Sequence, residues 1–193
     1  MVSTARAEPP GGRIALRQQL LGARREFVAS GAFVDAEAAL ARHLLALLRD
    51  LEPACLGLYW PQRCEFNAVA ALAADKAFAQ VTLALPFARR APAEMHYRVW
   101  DGAAPGTVDE CGIAASSGAP VVPDVVLAPC VGFTADGFRL GYGGGFFDRW
   151  LAQHTGATAI GVAWAVSLIA PGAFEPAVHD LPLALVVTQH GVA

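Results

Sequence analysis

Residues 124–153 read DVVLAPCVGFTADGFRLGYGGGFFDRWLAQ. The segment opens with an apolar run, Asp124 to Pro129, of the kind that fills a strand buried on both faces. It closes with Phe146 to Gln153, which has the composition of a helix. Between them Gly141, Gly143, Gly144 and Gly145 fall within five positions. A strand passing through a glycine loop into a helix suits an α/β architecture.

The flanking sequence repeats the alternation. Arg13 to about Ser30 reads as a helix that ends before Gly31, and Asp35 to Arg49 as a second, with Asp35 as its N-cap. CLGLYW (55–60) is a short buried strand stopped by Pro61. Glu65 to Ala79 is alanine-rich and predicts one helix. VTLALP (81–86), ATAIGVAW (157–164) and LALVVT (183–188) predict strands, and MHYRVW (95–100) alternates like a half-buried one. Residues 101–120, rich in Gly, Ala, Ser and Pro, read as a long loop with at most one turn. Residues 1–12 read as a flexible tail, and 13–193 as a single α/β domain with a mostly parallel sheet.

Composition narrows the function. The chain has 193 residues, 55% apolar and 16% charged, which fits one folded domain rather than disorder. Mean hydropathy is +0.41. Even so, the longest stretch without Asp, Glu, Lys or Arg, Trp150 to Phe174, is interrupted by Gln153, His154, several glycines and Pro171, unlike a membrane span. No secretory leader is evident, so a cytoplasmic setting is expected. A net charge of −3 argues against nucleic-acid binding. Cys55, Cys64, Cys111 and Cys130 form no C-x-x-C pair and read as free thiols.

The glycine loop has the makings of a polyphosphate site. Without side chains, backbone N–H groups converge on an anion. A helix starting at Phe146 aims its positive end there. Arg139 and Arg149 add charge, and Asp148 can hold a divalent cation bridging phosphate oxygens. The dinucleotide fingerprint G-x-G-x-x-G fails: its last position falls on Phe146 or Asp148. A Walker loop needs Gly-Lys, and the one lysine is Lys76. A tight turn packing a helix on a sheet needs one or two glycines, not four, and leaves the flanking charges unexplained. Arg13, Arg17 and Arg24 lie on one face of the first helix; taken alone, that stripe reads as a solvated face.

RLGYGGGFFDRWL resembles the signature of the 5-formyltetrahydrofolate cyclo-ligases, Arg-Leu-Gly-x-Gly-x-Gly-aromatic-Tyr-Asp-Arg. RIALRQQLLGARR is similar to that family's opening Lys-x-x-x-Arg helix, LYWPQRCEFN to its aromatic-x-Pro segment and Glu, and EPAVHD to its Glu-x-x-His-Asp block. The resemblance implies a Rossmann-like three-layer α/β/α fold. It implies an enzyme that uses ATP and Mg²⁺ to convert 5-formyltetrahydrofolate to 5,10-methenyltetrahydrofolate, with no nucleic acid, membrane or obligate protein partner. By position, Arg13 and Arg17 would contact ATP, and Arg139, Leu140, Gly141, Tyr142, Gly143, Gly144, Gly145, Phe146 and Phe147 would wrap its phosphates. Trp60 and Glu65 would line the folate site, with Tyr142 through Phe146 also touching folate. Asp148 and Asp180 would hold Mg²⁺, and Arg139, Tyr142 and Asp148 would act at the reacting phosphate. Taken alone, Glu65 would cap the helix starting there, Asp180 would be an ordinary loop carboxylate, and His179 would be a structural hydrogen-bonder.

The chain departs from the family pattern in places. Arg13 stands for the usual Lys, Phe147 for Tyr, Ser167 for Gln, Ala184 for Asp and Gln189 for Glu; ECGIAAS lacks the Glu-Pro that ordinarily follows. Two rival readings accompany the enzyme. One is a diverged paralogue that binds folate or nucleotide with weak or different activity. The other is a non-catalytic binding module for a phosphorylated metabolite, which predicts anion binding without Mg²⁺ dependence.

Overall fold

The protein is described by a computed structural model over residues 12–193. The tail expected over residues 1–12 lies outside the described residues except for Gly12, which opens the first helix. That helix, α1 (Gly12–Val28), is followed by α2 (Phe33–Leu51), β1 (Cys55–Gly57), α3 (Ala68–Ala73), β2 (Thr82–Arg90) and β3 (Ala93–Trp100). Three two-residue strands come next, β4 (Thr107–Val108), β5 (Ala114–Ala115) and β6 (Pro120–Val121), and then β7 (Val125–Pro129). The chain continues through β8 (Gly132–Phe133), β9 (Arg139–Leu140), α4 (Phe146–Gln153), β10 (Thr158–Val162), β11 (Leu185–Thr188) and β12 (Gly191–Val192).

Eight strands form one sheet in the order β12-β11-β10-β7-β1-β2-β3-β6. The five from β11 to β2 are parallel, and antiparallel strands close both edges. The period-2 alternation of each strand decides which layer its side chains join. In β7, Val125 and Leu127 face one core while Val126 and Ala128 face the other. The first core is covered by α2, whose Leu40, Leu44 and Leu48 recur every fourth residue and are fully buried. The second is covered by α4 through Trp150 and Leu151. The result is the expected three-layer α/β/α arrangement. α2 stops where Glu52 turns left-handed and donates its N–H to Leu48 O, just before Pro53.

Four expectations shift in detail. Asp35 is not the N-cap of the second helix: α2 already begins at Phe33, its N-cap is Ala32 with no side-chain cap, and Asp35 lies inside the first turn, where its charge faces the positive end of the helix. The helix predicted over Glu65–Ala79 is two pieces, α3 and a 3₁₀ turn at Lys76–Phe78, because Asn67 and Asp75 each cap a new N-terminus with their side chains. Glu65 is therefore not the helix cap. The strand predicted to end at Pro86 runs on to Arg90: the β1 ladder stops at Ala84, so the missing proline N–H leaves no gap in it. The loop over residues 101–120 contains β4 and β5, paired with each other, and the start of β6. Asp109 organises this segment by accepting bonds from Ala88 N, Cys111 N and Ile113 N.

Candidate functional site

In a parallel sheet the loops leaving the carboxyl ends of the strands converge at one end, where ligands bind. Here those loops carry Trp60 to Glu65 after β1, Cys130 and Val131 after β7, and Ala165 to Ser167 after β10. The glycine loop joins them between β9 and α4.

The loop needs its glycines. Gly143 has φ +102 and Gly145, the N-cap of α4, has φ +62, in the region L side chains avoid. A Cβ on Gly141 would come within 2.9 Å of Arg139 Nη1. The loop is then held from above by α1, through the arginine stripe. Arg17 Nε donates to Gly141 O at 2.7 Å, and its guanidinium lies 3.6 Å from where a Gly143 Cβ would be. Burial and the neighbouring Arg13 both lower the Arg17 pKa, the mark of cations gathered without full compensation. Arg13 Nη2 donates to Glu175 O at 2.6 Å and to Asp180 Oδ2 at 3.1 Å, tying α1 to the segment that carries the second expected metal ligand.

Arg139 is turned inward rather than toward solvent. It is buried, donates to Asp148 Oδ1 at 2.7 Å, lies over the Phe147 ring at 5.3 Å, and keeps a buried Nε without a hydrogen-bond partner. Arg149 donates to Gly144 O at 2.7 Å and stacks on Phe146. Leu140 is fully buried and anchors the loop to α1 alongside Leu20.

Glu65 faces this loop from the other side. Its side chain is 5% exposed; Oε2 accepts Gln62 N at 2.7 Å, and Oε1 accepts the Tyr142 hydroxyl at 2.6 Å. Burial pushes its pKa up, opposed by the hydrogen bonds from Tyr142 and Gln62 and by Arg24 and Arg63. Burial likewise raises the Tyr142 phenol. Trp60 packs edge-on against Trp100 at 6.2 Å. Trp100 also lines a cavity of about 400 Å³, with Val99, Asp101, Pro105 and Ser116 among others, but neither Trp60 nor any residue of the glycine loop borders it.

The structure thus brings Arg17, Arg139, the glycine loop, Tyr142, Glu65 and Asp148 into one connected network, with Arg13 and Asp180 at its edge. The loop, its left-handed glycines and the gathered arginines fit a polyphosphate. The metal donors are fewer. Asp148 and Asp180 are each paired with an arginine, and no cluster of three His, Cys, Asp or Glu exists among the described residues. A lone carboxylate of this kind would hold Mg²⁺ only with phosphate oxygens and water completing its shell. His179 is exposed and 3.8 Å from Asp180. Among the departures, Gln189 Oε1 accepts Ala165 N at 2.9 Å, and Ser167 is fully buried beside it with Oγ unpartnered. Ala184 takes part through its backbone, bonded to Ala159 O.

Sequence reasoning passed over Arg24 as a site residue. It is 1% exposed; Nη1 donates to Tyr142 Oη at 3.2 Å and Nη2 to Cys130 O. The signal was its place on the stripe with Arg13 and Arg17, one turn beyond the buried Leu20. Arg63, whose guanidinium lies over the Tyr142 ring at 5.4 Å, was missed too.

The model of the 5-formyltetrahydrofolate cyclo-ligase family matches residues 11–189. Among solved structures, the chain is similar to a 5,10-methenyltetrahydrofolate synthetase from Mycoplasma pneumoniae, at 22% identity and TM-score 0.70, covering 92% of this chain and 98% of that one. It is also similar to the 5,10-methenyltetrahydrofolate synthetase of Aquifex aeolicus, at 22% identity and TM-score 0.75, covering 93% and 91%. No curated protein matches the chain. No described helix is long and apolar enough to cross a membrane.

Proposed function

We propose that this chain, which belongs to the 5-formyltetrahydrofolate cyclo-ligase family and is a cyclo-ligase, uses ATP and Mg²⁺ to close 5-formyltetrahydrofolate to 5,10-methenyltetrahydrofolate, releasing ADP and phosphate. One observation supports this most: the anion cradle of the glycine loop joins directly to a buried carboxylate through the Tyr142–Glu65 hydrogen bond. A phosphate donor and a polar, flat heterocycle can therefore meet at one loop.

The chemistry follows from a weak leaving group. The formyl oxygen attacks the γ-phosphorus of ATP, and the bond to the β-phosphate oxygen breaks with its electron pair leaving on ADP. N10 of the folate, already held close, attacks the activated formyl carbon. Phosphate departs with the carbon–oxygen bond pair, and the N10 proton passes to water. Proximity supplies much of the ring closure, and phosphoryl transfer is mostly positioning and charge neutralisation.

In this reading Arg13, Arg17 and the loop N–H groups from Gly141 to Phe147 take up phosphate charge, helped by the positive end of α4. Arg139 stabilises the transferring group from beneath the loop. Glu65 accepts hydrogen bonds from the pterin amino edge, while Trp60, Tyr142 and Phe146 border the ring. Asp148 and Asp180 would hold Mg²⁺, which when bound neutralises charge on the phosphate oxygens. Residues 13–193 act as one catalytic domain. Both substrates are charged, water-soluble metabolites, which supports a cytoplasmic setting.

The test is ADP release from MgATP in the presence of 5-formyltetrahydrofolate or of tetrahydrofolate. One ADP per folate consumed, and none without the formyl group, is expected. ADP release that ignores the formyl group would sink the reading.

A further inference from the structure

Arg13 and Arg17 have a partner in the phosphates proposed above, but Arg24 does not. Seven residues beyond Arg17, the same face of α1 has turned into the interior. Among the described residues Arg24 is the second-largest fully buried side chain, after Trp164. Burying a guanidinium is costly unless something is gained by its charge. Its bonds show where the charge goes. Nη2 is fixed by Cys130 O at the end of β7, Nη1 donates to the Tyr142 hydroxyl, and Nη1 lies 3.8 Å from Glu65 Oε1. Tyr142 in turn donates to that same Glu65 oxygen. Three segments far apart in sequence close on one carboxylate.

We propose that Arg24 is a positioning residue for the folate: its guanidinium is the buried counter-charge of Glu65 and fixes Tyr142 against that carboxylate. The proposal rests on the folate reading of the site. As a carboxylate Glu65 presents only acceptors to the donors of a pterin amino edge; protonation turns one oxygen into a competing donor, and burial favours that neutral form. The groups facing it are few. Tyr59 and the Cys130 thiol are buried and pushed up, Cys130 to about 12, so both stay neutral. Tyr142 is raised as well. Arg63 is charged but exposed, so solvent screens it. Arg24 is the one buried cation among them.

The sign is fixed by these directions. Glu65 has a raised folded pKa, and losing Arg24 raises it further. Folate binding then fails on acidification at a higher pH than in the wild type. The experiment measures the Kd of 5-formyltetrahydrofolate, without ATP, by tryptophan quenching from pH 5.5 to 8.5. Arg24→Met is expected to bind about tenfold more weakly at pH 7, with the acid limb moved up by about one pH unit. Arg24→Lys keeps the charge and should restore the wild-type limb. In the Glu65→Gln background, Arg24→Met should change Kd by less than about twofold. If Arg24→Met does not fold, the Arg24→Lys limb and the Tyr142→Phe Kd carry the test. An unchanged Kd and limb in Arg24→Met, or a loss equal at every pH, would overturn the role of Arg24 alone. Absence of folate binding by the wild type would overturn the folate reading and this proposal with it.

Discussion

Two groups of charged residues in this protein use the same side chains to different ends. At the far end of the β2–β3 hairpin, Arg89 pairs with Glu94 at 3.3 Å and with Glu110 at 3.5 Å, and all three side chains are nearly half exposed. At the carboxyl ends of the sheet, Arg24 and Glu65 are 1% and 5% exposed and face each other through Tyr142. Arg139 and Asp148, 5% and 15% exposed, form a second such pair. The hairpin pairs are closer in distance than Arg24 and Glu65, yet water screens them and their flexible side chains give up little by separating. The buried pairs cannot be relieved by solvent, so losing one member leaves an uncompensated charge. Distance alone would place Arg24–Glu65, at 3.8 Å, below the hairpin pairs, although it puts Arg139–Asp148, at 2.7 Å, above them; burial sets both buried pairs apart from the hairpin.

The sharpest way to break the comparison is Asp148→Ala. It removes a proposed metal ligand and strands Arg139, so turnover should fall by ~100-fold or more, with a stability loss of about 3 kcal/mol. Thermal unfolding run beside single-turnover kinetics separates the two effects; wild-type turnover would remove Asp148 from the chemistry. Glu65→Gln comes next. It should raise the KM for folate about tenfold and spare the KM for ATP. If both constants rise together, Glu65 serves the loop rather than the folate. Tyr142→Phe deletes a hydroxyl that donates to Glu65 and accepts from Arg24, and should weaken folate binding about fivefold, the effect of two hydrogen bonds of about 0.5 kcal/mol each. Phe147→Tyr restores the family hydroxyl near Arg139 and should not reduce kcat; a large loss would mean the pocket is shaped around Phe. At the bottom of the scale, Arg89→Ala should leave both Tm and kcat within measurement scatter, and a several-degree drop in Tm would show that exposure is a poor guide here.

The layers of the fold were legible because burial on two faces leaves apolar runs, as in DVVLAP, and because Leu40, Leu44 and Leu48 keep helical spacing. The breaks were harder. Asn67 and Asp75 are ordinary polar residues in an alanine-rich stretch until their side chains are seen capping new N-termini. The glycine loop's backbone demands were readable from its own five positions, and Gly143 and Gly145 do take the left-handed region there. Arg24 was not readable as a site residue, because its burial depends on a carbonyl at Cys130 and a hydroxyl at Tyr142 that only the fold delivers. The inward turn of Arg139 has the same origin. Local chemistry is written in adjacent residues, whereas counter-charges are set by distant ones.

The measurement that tests the account most directly is the absorbance rise of the methenyl product when purified protein is mixed with 5-formyltetrahydrofolate and MgATP, against controls lacking ATP or Mg²⁺. The account predicts a rise that requires both and that Asp148→Ala slows by ~100-fold or more. A folded protein that gives no rise, or one that proceeds equally without ATP, would contradict the claim that the glycine loop holds a triphosphate beside a folate.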